Sequence, residues 1–176
     1  EVLAVASPTE GHARSFAEKH GIPHWFTDDA EMLEMDEIDM IVIGTPNCLH
    51  AQATVAAAKA GKHVLCEKPL CMNLAEADRM IDSCRSAGVK LMYAEDLCFA
   101  PKYVRLKQLV DEGALGRVHH LKHAEKHGGP ESAWFFDAGR SGGGVAMDMG
   151  CHSIEFCRWM LDKPRVRQVY AEMNSH

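Results

Sequence analysis

Apolar positions in the first hundred residues fall into short blocks separated by amphipathic stretches. Residues 2–6 form a strand-like run that Ser7-Pro8-Thr9 ends, and residues 10–20 have helical spacing, stopped by Gly21-Ile22-Pro23. Asp28 or Asp29 is placed to cap a short acidic helix before Asp39. Met40-Ile41-Val42-Ile43 is continuously apolar, which predicts a strand covered on both faces. Thr45-Pro46-Asn47 makes the next turn, an Ala-rich helix runs over 48–60 to Gly61, and His63-Val64-Leu65-Cys66 reads as a strand. A helix over 73–87 closes at Gly88, and Val89 to Tyr93 returns to strand. This alternation predicts an α/β chain of parallel βαβ units in a doubly wound sheet.

From about Phe99 the rhythm changes. A helix near 101–112 ends at Gly113, and residues 117–126 alternate as a strand does. Gly128 to Ser141 is polar and aromatic, a helix begins near Gly143, and residues 165–173 read as a final strand. The expected organisation is a partial doubly wound domain over 1–98, then the start of an α+β domain with an open sheet over 99–176. The chain opens at Glu1 inside a strand pattern, so a start upstream of it is expected.

Of the 176 residues, 47% are hydrophobic and 25% charged, which excludes disordered, collagen-like and coiled-coil chains. No apolar run approaches the ~20 residues that span a bilayer as a helix. The net charge of −6 divides into −8 over residues 1–96 and +2 over 97–176. Without a basic block to displace counterions, neither nucleic acid nor an anionic membrane is an expected partner. Seven cysteines, at 48, 66, 71, 84, 98, 151 and 157, are an odd number with no CxxC pair. They read as reduced thiols of a cytoplasmic protein, mostly small apolar side chains.

Three segments carry candidate chemistry. In GKHVLCEKP, residues 61–69, a strand ends on Glu67-Lys68-Pro69, which sets opposite charges at the carboxyl edge of a parallel sheet, where ligands of such sheets bind. Proline restricts the turn and helps aim Lys68, although an exposed ion pair at a strand end would use the same residues. In GGGVAMDMGCH, residues 142–152, Asp148 and His152 stand four apart and would share a helix face. A carboxylate beside an imidazole suits acid–base work on a hydroxyl, and spacing alone fits a surface ion pair as well. Gly150 between them weakens a helix by about 1 kcal/mol relative to Ala, which suggests that something packs on the bare backbone. In TPNCLH, residues 45–50, Thr45 and Asn47 follow the most apolar strand, where a dinucleotide would cross; plain turn and cap chemistry is the alternative. His119, His123 and His127, with His120, are evenly spaced, but no second cluster completes a ligand shell, and no metal site is expected.

In this order and spacing, TPNxxH, AGKHVxxEKP and GGGxxxDxGxH resemble the Gfo/Idh/MocA family of dehydrogenases. Glu112 to Val118 also resembles the family's helix-to-strand junction, so the likeness covers nearly the whole chain. It implies a Rossmann domain followed by an α/β domain with an open sheet. It further implies hydride transfer between NAD or NADP and a carbinol carbon of a sugar, cyclitol or related polyol, in a homo-oligomer, dimer or tetramer. By motif position, Lys68 resembles the lysine that touches substrate and cofactor, His152 the acid/base, and Asp148 its acidic partner. Glu67 resembles the glutamate near the nicotinamide, and Ser7, Thr45, Pro46, Asn47, His50 and Lys68 are the other expected cofactor-binding positions. The family's GxGxxG turn would precede Glu1. Where NAD-preferring relatives carry an acidic residue after the second strand, this chain has Ser7, which admits NADP. Two other readings of the same fold are a non-catalytic dinucleotide- or sugar-sensing or partner subunit, and a lyase or hydrolase that retains NAD.

Overall fold

The computed structural model describes residues 1–126, 128–130 and 132–173; His127 lies outside them. In chain order the elements are β1 (Ala4–Ala6), α1 (Glu10–His20), β2 (His24–Phe26), α2 (Asp29–Leu33), β3 (Met40–Ile43) and α3 (Asn47–Lys59). There follow β4 (His63–Cys66), α4 (Leu74–Ala87), β5 (Leu91–Tyr93), α5 (Pro101–Asp111), α6 (Ala138–Ser141), α7 (Val145–Asp148) and α8 (Gly150–Met160). Single 3-10 turns lie at Leu97–Phe99 and Ala133–Phe136. Among the described residues no helix is long and apolar enough to cross a membrane.

Local chemistry explains the boundaries. The Asp28 carboxylate accepts the Ala30 N–H, and the Asn73 side chain accepts the Glu76 N–H, each satisfying an amide at a helix start. Gly88 takes a left-handed conformation (φ 69°) and ends α4. All strand pairs are parallel: β1 with β2, and β3 with β4 with β5. β2 escapes the hydrophobic pattern because two of its three residues, His24 and Trp25, are exposed.

Packing groups the chain into one unit of residues 1–94 with 130–148 and another of 95–129 with 149–176. The sequence pattern places its boundary at 98/99; in the structure, 130–148 pack with the first unit. The core of that unit joins Ile41 and Ile43 of β3 and Val64 and Cys66 of β4 to Ala51, Ala57, Ala58, Met80 and Cys84 on α3 and α4. Burial of these apolar side chains is the main stabilising term, at about 25 cal/mol per Å². Met40 and Val42, however, are 52% and 62% exposed. β3 is therefore covered on one face only, because α3 and α4 pack on one side of its three-stranded sheet.

The second unit holds the Leu97–Phe99 turn, α5 and α8. The strands expected over 117–126 and 165–173, and with them the open sheet, are not formed among its described residues. Alternation suits a strand, but a strand exists only through ladder hydrogen bonds to a partner. His123 of the first segment is instead a half-buried histidine packed on α8, its ring 4.7 Å from that of Phe156 and its Nδ1 2.8 Å from Ser153 Oγ. The expected helix from Gly143 is broken: α7 ends at Asp148, Met149 stands between, and α8 begins at Gly150.

Candidate active site

Parallel strands carry their carboxyl ends on one edge, and the register sets Ile43 beside Cys66 and Cys66 beside Tyr93. The residues after each strand therefore line one rim. Exposed Thr45 follows β3 and exposed Glu67 follows β4, its amide donating to Ile43 O at 2.9 Å. Ser7 follows β1 in its own two-stranded sheet, its amide donating to Phe26 O at 3.0 Å.

Lys68 is the best-defined cation here. Its Nζ donates to Asp148 Oδ1 at 2.7 Å and to the Asp148 carbonyl at 3.2 Å, with both side chains about four-fifths buried. Its backbone amide donates to Glu67 Oε2 at 3.0 Å. The pair offers a fixed ammonium beside a carboxylate, suited to holding a hydroxyl and the negative charge that develops on its oxygen.

Two expected cofactor contacts are buried struts. His50 is 1% exposed, with Nδ1 2.9 Å from Pro69 O and Nε2 2.9 Å from Thr45 O. It ties the turn after β3 to the turn after Lys68. Asn47 is 3% exposed and donates through Nδ2 to Ser141 O at 2.7 Å. Both side chains shape the rim rather than face solvent, and Pro46 caps the start of α3 just before Asn47. Gly142 then passes close by: φ is +79°, and a Cβ there would stand 2.9 Å from Met72 Cγ. The close backbone approach expected at Gly150 occurs here instead, since nothing lies within 4 Å of a Cβ at Gly150.

In the second unit, His152 Nδ1 is 2.7 Å from Glu95 Oε1. The side chains are 12% and 4% exposed. Asp148 Oδ1 is held by Lys68 and His152 Nδ1 by Glu95, and the two residues stand on successive helices, α7 and α8. Sequence reasoning missed Glu95; the signal for it is positional, two residues beyond β5 at the carboxyl end of a parallel strand. Glu95, Cys151 and His152 also bring one ligand atom each within 4.8 Å of one another, a donor set that could hold a soft divalent ion. The Glu95–His152 hydrogen bond already engages two of the three.

All seven cysteines are thiols, none in a disulfide. Burial pushes the Cys66 thiol up to about 12 and raises those of Cys71, Cys84, Cys98 and Cys157. These five thiols are consequently poor nucleophiles.

Residues 1–95 match the oxidoreductase family with an NAD-binding Rossmann fold, GFO/IDH/MocA, and residues 103–176 match the GFO/IDH/MocA C-terminal domain. Myo-inositol 2-dehydrogenase of Thermotoga maritima is 31% identical over 171 residues, covering 97% of this chain and 50% of its own length. D-xylose 1-dehydrogenase (NADP(+)) 2 of Haloferax volcanii is 37% identical over 173 residues, covering 97% and 52%. Among solved structures, GenD2 from gentamicin A biosynthesis in complex with NAD superposes with a TM-score of 0.86 at 30% identity, covering 95% of this chain and 48% of that one. Levoglucosan dehydrogenase in complex with NADH and levoglucosan gives 0.79 at 29% identity, covering 90% and 44%. The chain spans about half the length of the relatives it matches.

Proposed function

Because the chain belongs to the Gfo/Idh/MocA family of NAD-binding oxidoreductases, we propose that it serves an NAD(P)-dependent dehydrogenase acting on a CH–OH group of a sugar, cyclitol or related polyol. The observation that carries the reading is the Lys68–Asp148 pair, an ammonium fixed at 2.7 Å on the rim where ligands of parallel sheets bind. The substrates in the names of the inositol, xylose and levoglucosan relatives support the same chemical class.

Oxidising a secondary alcohol takes a hydride from carbon and a proton from oxygen. When bound, nicotinamide supplies the hydride acceptor or donor. His152 takes the hydroxyl proton as general base, and returns it in the reverse direction. Lys68 steadies the oxygen as negative charge develops on it, and Asp148 holds Lys68 in place.

The rim residues fit the nicotinamide half of a dinucleotide, with exposed Thr45 and Glu67, part-buried Lys68, and Pro46, Asn47 and His50 shaping the turns, while part-buried Ser7 after β1 suits the adenosine ribose. Ser7 brings no carboxylate to repel a 2′-phosphate, so the site admits NADP as well as NAD, and the cofactor is one or the other; the NADP-named xylose relative and the NAD-bound GenD2 bracket that choice. The seven thiols support a cytoplasmic location. The charge balance supports partners that are neither nucleic acid nor membrane.

The test is reduced-nicotinamide formation by the full-length enzyme across a panel of sugars and cyclitols with each cofactor. Turnover of at least one polyol, and loss of the near-neutral limb of the kcat/KM profile in His152→Ala, are the expected results. A folded enzyme that oxidises none of the panel, or a His152→Ala variant that keeps its limb, would sink the reading.

A further inference from the structure

We infer that Glu95 is the positioning residue for His152: it fixes the proton on Nδ1 and leaves the Nε2 lone pair as the atom that exchanges a proton. The inference rests on the reading of His152 as the general base and adds the group that sets its tautomer.

Three observations carry it. First, Glu95 Oε1 and His152 Nδ1 stand 2.7 Å apart, the separation of a short, charge-assisted hydrogen bond. An ionised carboxylate has no proton to donate, so the shared hydrogen belongs to Nδ1 and the opposite nitrogen carries the lone pair. Second, the carboxylate is itself anchored. Oε1 also accepts the Leu97 N–H at 3.1 Å, and that amide opens the Leu97–Phe99 turn. His152 lies in the first turn of α8, and Glu95 lies just before the turn, so the hydrogen bond joins two backbone segments of one unit.

Third, Glu95 Oε2 is buried with no hydrogen-bond partner. A buried carboxylate satisfied on one oxygen only is costly unless a positive charge compensates it. The imidazolium formed when His152 takes the substrate proton supplies that charge 2.7 Å away. The arrangement thus stabilises the state reached during the reaction more than the resting state, which is the requirement for raising kcat. A carboxylate placed in this way orients the ring without becoming protonated itself.

The experiment uses histidine-labelled full-length enzyme and nitrogen NMR at about pH 8, where a free imidazole is neutral. The His152 signals are assigned by their loss in His152→Ala. A protonated Nδ1 and a bare Nε2 are expected in the unsubstituted enzyme, a readout independent of activity. Glu95→Gln can present its amide N–H to the ring and impose the opposite tautomer; kcat should then fall roughly 10²- to 10⁴-fold with KM little changed. Glu95→Asp keeps the charge and should restore part of the loss.

A bare Nδ1 in the unsubstituted enzyme overturns the inference. So does a Glu95→Gln enzyme with unchanged tautomer and kcat. If the Nδ1–H tautomer is present and depends on Glu95, yet His152→Ala keeps its kcat/KM limb, Glu95 still orients the ring and it is the general-base reading that falls. Zinc titration at the same signals covers the remaining arrangement: retention of stoichiometric zinc by purified enzyme on Glu95, Cys151 and His152 would overturn the tautomer assignment, because Nδ1 would then be a ligand.

Discussion

Lys68 Nζ reaches Asp148 Oδ1 at 2.7 Å although the two residues stand 80 positions apart in sequence. The β4 rim supplies the ammonium, and the segment 130–148, folded back onto the same unit, supplies the carboxylate. Both side chains are about four-fifths buried, so the pair is screened less than a surface ion pair and is held more firmly.

Replacing Lys68 by Met keeps the stem and removes the charge. In the full-length enzyme kcat should fall on the order of 10²- to 10³-fold, as when one oxyanion-stabilising donor is lost. Stability should drop by about 1–3 kcal/mol, because Asp148 loses its charged donor. Steady-state kinetics with a denaturation curve check this; a folded Lys68→Met enzyme with near-normal kcat would count against the assigned role.

Gly142 and Gly144 stand two apart but in different surroundings. At Gly142 the backbone is left-handed, and a methyl group would meet Met72 Cγ at 2.9 Å; at Gly144 nothing lies within 4 Å. Gly142→Ala should therefore destabilise by more than about 1 kcal/mol, and Gly144→Ala by less than about 0.5 kcal/mol. Paired thermal melts decide, and equal effects would contradict the close approach.

His50 bridges two turns with both ring nitrogens. His50→Ala removes both contacts and leaves a buried void, so a loss of about 2–4 kcal/mol is expected. Activity should fall too, since the turn that follows Lys68 loses its tie to Thr45. Urea midpoints and kcat measured on the same preparation test the coupling; a stable variant with lowered kcat would still support it, whereas full stability with full activity would not.

Cys66 gives a pH prediction with a definite sign. Burial raises its folded-state value from 9.0 to about 12, so above pH 9 the unfolded chain loses this proton before the folded one does. The unfolded state then binds fewer protons, and stability falls as pH rises from about 9 towards 12. Cys66→Ala should flatten that part of the profile, measured as urea midpoint against pH. A profile that falls just as steeply in the variant would assign the loss to other groups.

The period of the apolar residues and the cap residues were enough to locate β3, α3, β4 and α4 to within a residue or so, because helix and strand periodicity and helix ends are local properties. Lys68, Asp148 and His152 stood out for a related reason: unusual polar residues beside glycine and proline at element ends are visible in one dimension. Pairing and coverage are not local. Nothing in Met40-Ile41-Val42-Ile43 says that one face stays exposed, since that depends on which side α3 and α4 occupy. Nothing in 117–126 says which strand it would pair with, and among the described residues no ladder forms there. Asp148 and His152 look like neighbours on one helix at a spacing of four, yet they fall on α7 and α8 with Met149 between, and each meets a group the spacing does not suggest, Lys68 and Glu95. Glu95 carries only a positional signal, two residues beyond β5; its role became legible when the Leu97–Phe99 turn and the start of α8 brought a buried carboxylate within 2.7 Å of an imidazole.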